Sequence, residues 1–420
     1  MKRILLVIFF CSIGICIFAQ DLLAGGSIKT ELLTAVPEWG SGMKDLRSGA
    51  EISGVLYFAF EPSDTVRARA ELSYRYASGY AHPLGRYESS GLPPVVDQDL
   101  IPGSDFRQEL SVAQIWAEVT RGDMFIRAGK FPVGWGTCWF LNPTDVSAAQ
   151  NGLDAFGDET VVGIPGVSLE WVPKDYLGFD SYFMFSDASE TGTVALEDGN
   201  LMNLPFGTKV RYIADNFEAS AGCAKKVAKT DAGGWNRTYY AVVDTVVSAG
   251  DAVVTAEAAL SLPFDDGGTS RDPDAWHPDK SIEAGAGIKC WIDPVSMDVI
   301  AEYYYFGNGQ SAGEYDPEPV LSGEKMLLGK HYAVVRGSRE FTADLTAAAS
   351  TIVNAADRSG LFVLEAGWKP AEDSSLDMTC VIPWGDGESE MGGERTLIPG
   401  VLDWRIWDSM TVSCMFSVFF

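Results

Sequence analysis

Three histidines, His82, His277 and His331, are the only imidazoles in the chain, and each falls in or beside a loop-like stretch. A serine or aspartate beside such a histidine could do hydrolytic chemistry, as a nucleophile with its base. No Gly-x-Ser-x-Gly, His-Glu-x-x-His or phosphate-cradling glycine loop accompanies them, so no catalytic residue is assigned. The run Asp265-Asp-Gly-Gly-Thr-Ser-Arg-Asp-Pro-Asp274 could hold Ca²⁺ weakly, but it lacks the spacing and closing Glu of an EF-hand loop. Cys138, Cys223, Cys290, Cys380 and Cys414 are scattered without metal spacing and read as small hydrophobes, not disulfide partners. No cofactor or metal is implied. A formal charge of −27 argues against nucleic-acid binding, which needs a basic surface to displace counterions.

The remaining chemistry lies in charges spaced two residues apart. Arg67, Arg69, Glu71, Ser73 and Arg75 alternate with Val66, Ala68, Ala70, Leu72, Tyr74 and Tyr76. Glu283, Gly285, Gly287 and Lys289 alternate with Ile282, Ala284, Ala286, Ile288 and Cys290, and Glu365 and Lys369 with Phe362, Leu364, Ala366 and Trp368. Side chains along a strand point to opposite faces in turn, so these are strands with one charged and one apolar face. A water-filled lumen inside lipid demands that pattern, and a sandwich with one wet face gives it too.

The spacing of the breaks separates the two. Short hydrophilic turns at 61–64, 121–123, 173–176, 214–216, 248–251, 293–294, 337–339 and 370–374 alternate with long irregular stretches near 80–104, 136–159, 188–205, 264–280, 307–330 and 386–396. Tight turns at one end and long loops at the other are the asymmetry of a membrane barrel. The expected fold is all-β: a transmembrane antiparallel β-barrel of about 18 strands, filling residues 20–420 as one domain. Sixteen strands is the alternative, because the Ala-rich run 345–356 admits a helix. With these faces, Arg at Ala286 or Ile288 is costly, and Arg at Gly285 or Gly287 is tolerated or alters conductance.

Both ends of the chain bear on the same question. Met410, Val412, Cys414, Phe416, Val418 and Phe420 share one face of a final strand, opposite Thr411, Ser413, Met415, Ser417 and Phe419. This resembles the C-terminal strand of bacterial outer-membrane β-barrels. The resemblance implies contact with outer-membrane lipid and recognition of Phe416, Val418 and Phe420 by the barrel-assembly machinery. Lys2 and Arg3 precede an apolar run over 4–18 and then Ala19. That run is shorter than the roughly 20 residues of a spanning helix, so 1–19 reads as a cleaved signal peptide and a single anchor is the alternative.

The most specific internal motif is Phe125-Ile-Arg-Ala-Gly-Lys-Phe-Pro-Val-Gly-Trp-Gly136, continuing through Thr137-Cys-Trp-Phe-Leu-Asn-Pro-Thr-Asp145. It resembles the Arg-x-Gly-Lys…Trp-Gly…Asn-Pro-x-Asp stretch of porin-like outer-membrane barrels. Arg127 and Gly129 share the polar face while Lys130 falls on the wrong one, so a β-bulge is expected near 129–132. Bent inward there, the chain could bring Trp135, Trp139, Asn142 and Asp145 into the lumen as a constriction. An aromatic girdle followed by an external loop is the competing reading. Expected lining residues are Arg67, Arg69, Glu71, Arg75, Arg127, Lys209, Arg211, Glu257, Glu283, Lys289, Asp298, Glu302 and Glu365. The expected function is passive passage of small hydrophilic solutes, modestly cation-preferring because the whole chain is acidic. A fatty-acid-type transporter would carry an N-terminal hatch with Asn-Pro-Ala, which residues 20–35 lack. A surface adhesin or other binding β-protein, and a rim-site hydrolase, are the alternatives from other classes.

Overall fold

A computed structural model describes residues 22–36, 46–79, 96–98, 106–145, 163–185, 203–229, 235–264, 281–312, 315, 327–387, 389–392, 395–398, 402–404 and 410–420. The signal-peptide segment 1–19, His82, His277 and the acidic run 265–274 lie outside these residues. The wall begins with β1 (Leu22–Val36), β2 (Arg47–Ser63) and β3 (Val66–Gly79), and a short β4 (Val96–Gln98) is laid on β5 (Phe106–Arg121). It continues through β6 (Met124–Phe131), β7 (Ile164–Lys174), β8 (Leu177–Met184), β9 (Phe206–Ala214) and β10 (Phe217–Lys229). Next come β11 (Trp235–Ala249), β12 (Ala252–Phe264), β13 (Ile282–Ile292), β14 (Met297–Phe306) and β15 (His331–Thr342). After β16 (Leu345–Asn354), β17 (Ser359–Ala371) and β18 (Ser374–Trp384), a two-stranded ribbon of β19 (Arg395–Ile398) and β20 (Leu402–Trp404) precedes β21 (Met410–Phe419). Leaving aside β4, β19 and β20, each strand pairs antiparallel with the next, and β21 pairs with both β18 and β1. The result is a closed barrel of 18 strands.

Closure satisfies every edge, as a lipid environment requires. At the seam Ser27 faces Phe419 and Val36 faces Met410, and Gly26 and Phe420 exchange backbone hydrogen bonds of 2.8 and 3.0 Å. One face of the wall is apolar and exposed all the way round. Ile28, Leu32, Ile52, Leu56, Leu72, Ile115, Val119, Ile126, Leu169, Val210, Val243, Ile288, Val335, Leu364, Phe416 and Val418 all lie on it. A surface of that composition belongs in hydrocarbon. The opposite parity faces the lumen. Cys223, Cys290, Cys380 and Cys414 sit on the apolar parity, and all five cysteines among the described residues are free thiols.

One alternative is set aside and two local expectations are corrected. The Ala-rich run is a strand, β16, paired along its length with β15 and β17. Alanine is the best helix former, but propensity is a weak prior, and here it yields to a ladder on both sides plus β-branched Thr346, Thr351, Ile352 and Val353. The turn placed at 337–339 lies instead at 343–344; Gly337 is within β15, opposite Ala349. The bulge expected near 129–132 is on the neighbouring strand. Between β3 and β5 the register slips so that Glu71 faces Gln114 and Leu72 faces Val112, leaving Ala113 over. Lys130 is buried beside this bulge and its Nζ donates to the Val112 carbonyl at 2.6 Å. Gly129 permits the approach at φ +132°; a Cβ there would overlap the Ile115 carbonyl.

Candidate channel lining and constriction

The segment after β6 does not leave the barrel. Trp135 packs edge-on against Tyr182 of β8, ring centroids 5.0 Å apart, and the Lys209 ammonium of β9 lies 5.4 Å from the Trp135 ring. From there the chain crosses to the far wall. Thr137 N donates to Glu257 Oε2 of β12 at 2.7 Å, and Thr144 Oγ1 to the same oxygen at 3.2 Å. Trp139 N and Phe140 N donate to the two carboxylate oxygens of Glu302 on β14 at 2.7 and 3.0 Å, and Leu141 N donates to Tyr304 Oη at 3.0 Å. Tyr304 in turn donates to Glu302. β14 stands eight strands round from β6 in an 18-strand ring, so the segment spans most of the lumen.

Local sequence explains the shape of this crossing. Pro132 ends the ladder, having no N–H to give. Gly136 adopts φ +122°, and a Cβ there would stand 2.5 Å from Asn142 Oδ1. Asn142 and Asp145 close a turn through Asp145 N to Asn142 O at 2.9 Å, with Pro143 between them. Opposite, Gly285 and Gly287 leave the room that the crossing segment and its anchor occupy. A Cβ at 285 would lie 3.0 Å from both Cys138 Sγ and the Tyr304 ring, and one at 287 would lie 2.6 Å from Glu302 Cγ.

Beyond the crossing, the outer half of the wall from β14 to β18 is covered from inside. Cys138, Phe140 and Leu141 share one apolar cluster with Tyr304, Tyr332, Val334, Ile352 and Leu361 of the wall and with Tyr315, Leu327, Leu328 and Met391 from two further connections. Glu390 anchors those connections. It accepts from Leu328 N at 2.7 Å, Tyr332 Oη at 2.5 Å and Asn354 Nδ2 at 2.7 Å, while its own N–H donates to Asp357 at 2.8 Å. Burial pushes the Glu390 carboxyl above the ordinary carboxylate range.

The arc from β5 to β11 is different. A cavity of about 330 Å³ lies between it and the crossing segment, lined by Trp135, Gly136 and Thr137 on one side and by paired charges on the other. Arg127 bonds Glu118 at 2.7 Å and lies over the Trp116 ring at 4.5 Å. Arg211 is within 2.6 Å of Glu170, 2.7 Å of Asp180 and 4.0 Å of Glu218. Lys209 is 3.8 Å from Asp244, which also accepts from Ser220. Five carboxylates thus face three cations in this cavity.

The residues singled out from sequence therefore separate. Arg127, Lys209, Arg211 and Trp135 meet at the cavity. Glu257 and Glu302 are on the same wall parity but buried under the crossing segment, each 4% exposed. Trp139, Asn142 and Asp145 belong to that segment, Trp139 packing on its apolar cluster. The others make local pairs: Arg69 with Glu71 at 2.8 Å, Arg75 with Glu51 at 2.7 Å, and Glu365 with Arg336. Arg67 stands opposite Glu118 in register, Glu283 opposite Phe306, Lys289 opposite Ile300, and Asp298 opposite Ser338. His331 pairs with Tyr303 Oη at 2.6 Å on the exposed side of the wall. Sequence reasoning missed Glu118, Glu170, Asp180, Glu218 and Asp244. Each sits on the polar parity of its strand, Glu118 between Ala117 and Val119 and Asp180 between Phe179 and Ser181, so the signal was there.

No family model and no curated protein matches the chain. Solved structures do. Pseudomonas aeruginosa OccK9 (OpdG) aligns over 96% of this chain and 99% of its own, with 10% identity and a TM-score of 0.53. Acinetobacter baumannii OccAB2 aligns over 96% and 98%, with 8% identity and a TM-score of 0.54. A BenF-like porin from Pseudomonas fluorescens Pf-5 aligns over 96% and 99%, with 10% identity and a TM-score of 0.51. At such identities the likeness is one of fold: this chain has the barrel architecture in which these proteins, a porin among them, are built.

Proposed function

We propose that the protein is an outer-membrane channel through which small hydrophilic solutes diffuse passively. The observation that carries this reading is the crossing segment, which narrows the barrel and leaves a charge-lined cavity along one arc. Polar, ion-paired walls suit hydrated solutes better than hydrophobic cargo. Selection then follows from bore and lining charge, with Trp135, Trp139, Asn142 and Asp145 at the constriction. Five carboxylates against three cations, in a chain of net charge −27, support a modest preference for cations.

Residues 1–19 direct export, and the strand ending in Phe420 is the part the barrel-assembly machinery recognises. Phe420→Asp should then lower the amount of folded protein in the outer membrane, and normal levels would count against that role. The function itself is tested by reconstituting the protein in planar bilayers and measuring the reversal potential across a KCl gradient. Discrete conductance with a cation-selective potential is expected. An anion-selective reading would give control to Arg127, Lys209 and Arg211, and absence of conductance would favour a closed structural barrel or adhesin.

A further inference from the structure

Glu257 and Glu302 are wall carboxylates whose hydrogen-bond partners lie mainly on the crossing segment. Neither has a cation within ion-pair reach among the described residues, although each is 4% exposed. Glu302 accepts from the N–H groups of Trp139 and Phe140 and from the Tyr304 hydroxyl, and Glu257 Oε2 accepts from Thr137 N–H and the Thr144 hydroxyl, while Glu257 Oε1 has no hydrogen-bond partner among the described residues. Successive backbone amides folded round an anion make a strong, oriented site, and hydrogen bonds to a charged acceptor are about twice as strong as neutral ones. Here the anion is supplied by the wall and the amides by the loop. A carboxylate buried without a cation has no other compensation, so wall and loop hold each other in place.

We propose that Glu257 and Glu302 are positioning residues that latch residues 137–141 across the lumen and so set the bore of the channel. The inference rests on the channel reading above. Glutamine keeps the shape but removes the charge, and at 302, where both oxygens accept from backbone amides, it also aims an amide donor at a group that donates. Each charge-assisted bond lost should raise the released fraction of the segment about tenfold or more. Cys138 reports that release directly. It is buried beneath the latch, 8% exposed, with its Sγ 3.9 Å from Thr255 Oγ1.

The test uses the full chain with Cys11, Cys16, Cys223, Cys290, Cys380 and Cys414 replaced by serine, folding being checked by the mobility shift on boiling. Glu257→Gln, Glu302→Gln and the double variant are treated with a water-soluble maleimide and recorded in planar bilayers. The expected result is Cys138 labelling about tenfold faster or more than in the parent, with larger, noisier single-channel currents. Adding Thr255→Cys and oxidising it to a disulfide with Cys138 should return the currents to the parent value, and reduction should release them again. Folded glutamine variants with unchanged labelling and currents would overturn the latch, as would larger currents that the disulfide fails to suppress, since charge loss alone would then explain them. A parent that never conducts, while the glutamine variants still expose Cys138, would overturn the channel reading and leave the latch standing.

Discussion

The arc from β5 to β11 and the arc from β14 to β18 are parts of one sheet, yet they use their inward faces in opposite ways. On the first, inward positions carry Glu118, Arg127, Asp180, Lys209 and Arg211 and border open space. On the second, the outer half carries Tyr304, Tyr332, Val334, Ile352 and Leu361 and is covered by three connections. Charge at an inward position keeps water and leaves a path; an apolar inward position recruits chain. The second arc is thus apolar on both faces, lipid outside and loop inside, and its sequence reads like a buried strand. Towards the inner turns its inward face becomes polar, at Arg336, Ser350 and Glu365. An off-centre cavity follows from this division.

The largest expected effect breaks the wall between the arcs. Ile288→Arg on the lipid side of β13 should destabilise the barrel by about 2–4 kcal/mol near the midplane, measured by urea unfolding in lipid vesicles. The opposite parity is no refuge there: Arg at Gly285 or Gly287 would collide with Cys138, Tyr304 or Glu302, so the tolerance expected from strand faces alone is withdrawn. Both substitutions should fail, the one through lipid and the other by expelling the crossing segment.

Next in size is the anchor of the closed arc. Glu390→Ala strands the donors of Leu328, Tyr332 and Asn354, each at a cost of about 1–3 kcal/mol unless water reaches it. Amide exchange at 327–330 should accelerate, while Asp244→Asn on the open arc leaves it unchanged. The anchor also carries a pH signature. Burial raises the Glu390 carboxyl, so the folded protein keeps a proton that the unfolded chain has already released. The stability this lends is complete below the unfolded carboxylate value and is lost as pH rises through the raised one. Protection at 327–330 should therefore weaken with rising pH, and Glu390→Gln should flatten the dependence.

Smaller effects belong to the open arc. Arg211→Met frees Glu170, Asp180 and Glu218 from their shared cation, so the reversal potential should move further toward cations. Smallest is the effect of ionic strength. Cation preference should fade as KCl rises from about 0.01 to 1 M, over which the screening length falls from roughly 30 to 3 Å.

What could be read in the sequence follows from what repeats in it. Alternation gave the faces of β3, β13 and β17, and turn chemistry gave the inner turns from 61–64 to 293–294, because both signals are local. The 18-strand count survived a misplaced turn at 337–339 because it depends on alternation of long and short connections. The crossing segment was suggested by the Trp135-Gly136 and Asn142-Pro143 pairs, but its anchors were not. Nothing near Glu257 or Glu302 in sequence announces Thr137 or Trp139, more than a hundred residues away. Which carboxylates lie across from Arg127 and Arg211 is likewise a matter of register between strands.

The seam between β1 and β21 has a kinetic meaning. Pairing Ser27 with Phe419 closes a loop of almost the entire chain, whereas each inner turn closes over a few residues. A loop about a hundredfold longer costs roughly 4 kcal/mol more in chain entropy, and nothing local compensates for it. Every other neighbour in the ring can zip up hairpin by hairpin, but these two edges must find each other through space. Until they meet, the nascent sheet has two raw borders and the latent capacity to pair with the wrong chain. The exchange between Gly26 and Phe420 completes that closure: before it the molecule is a ribbon with two borders, and after it a barrel.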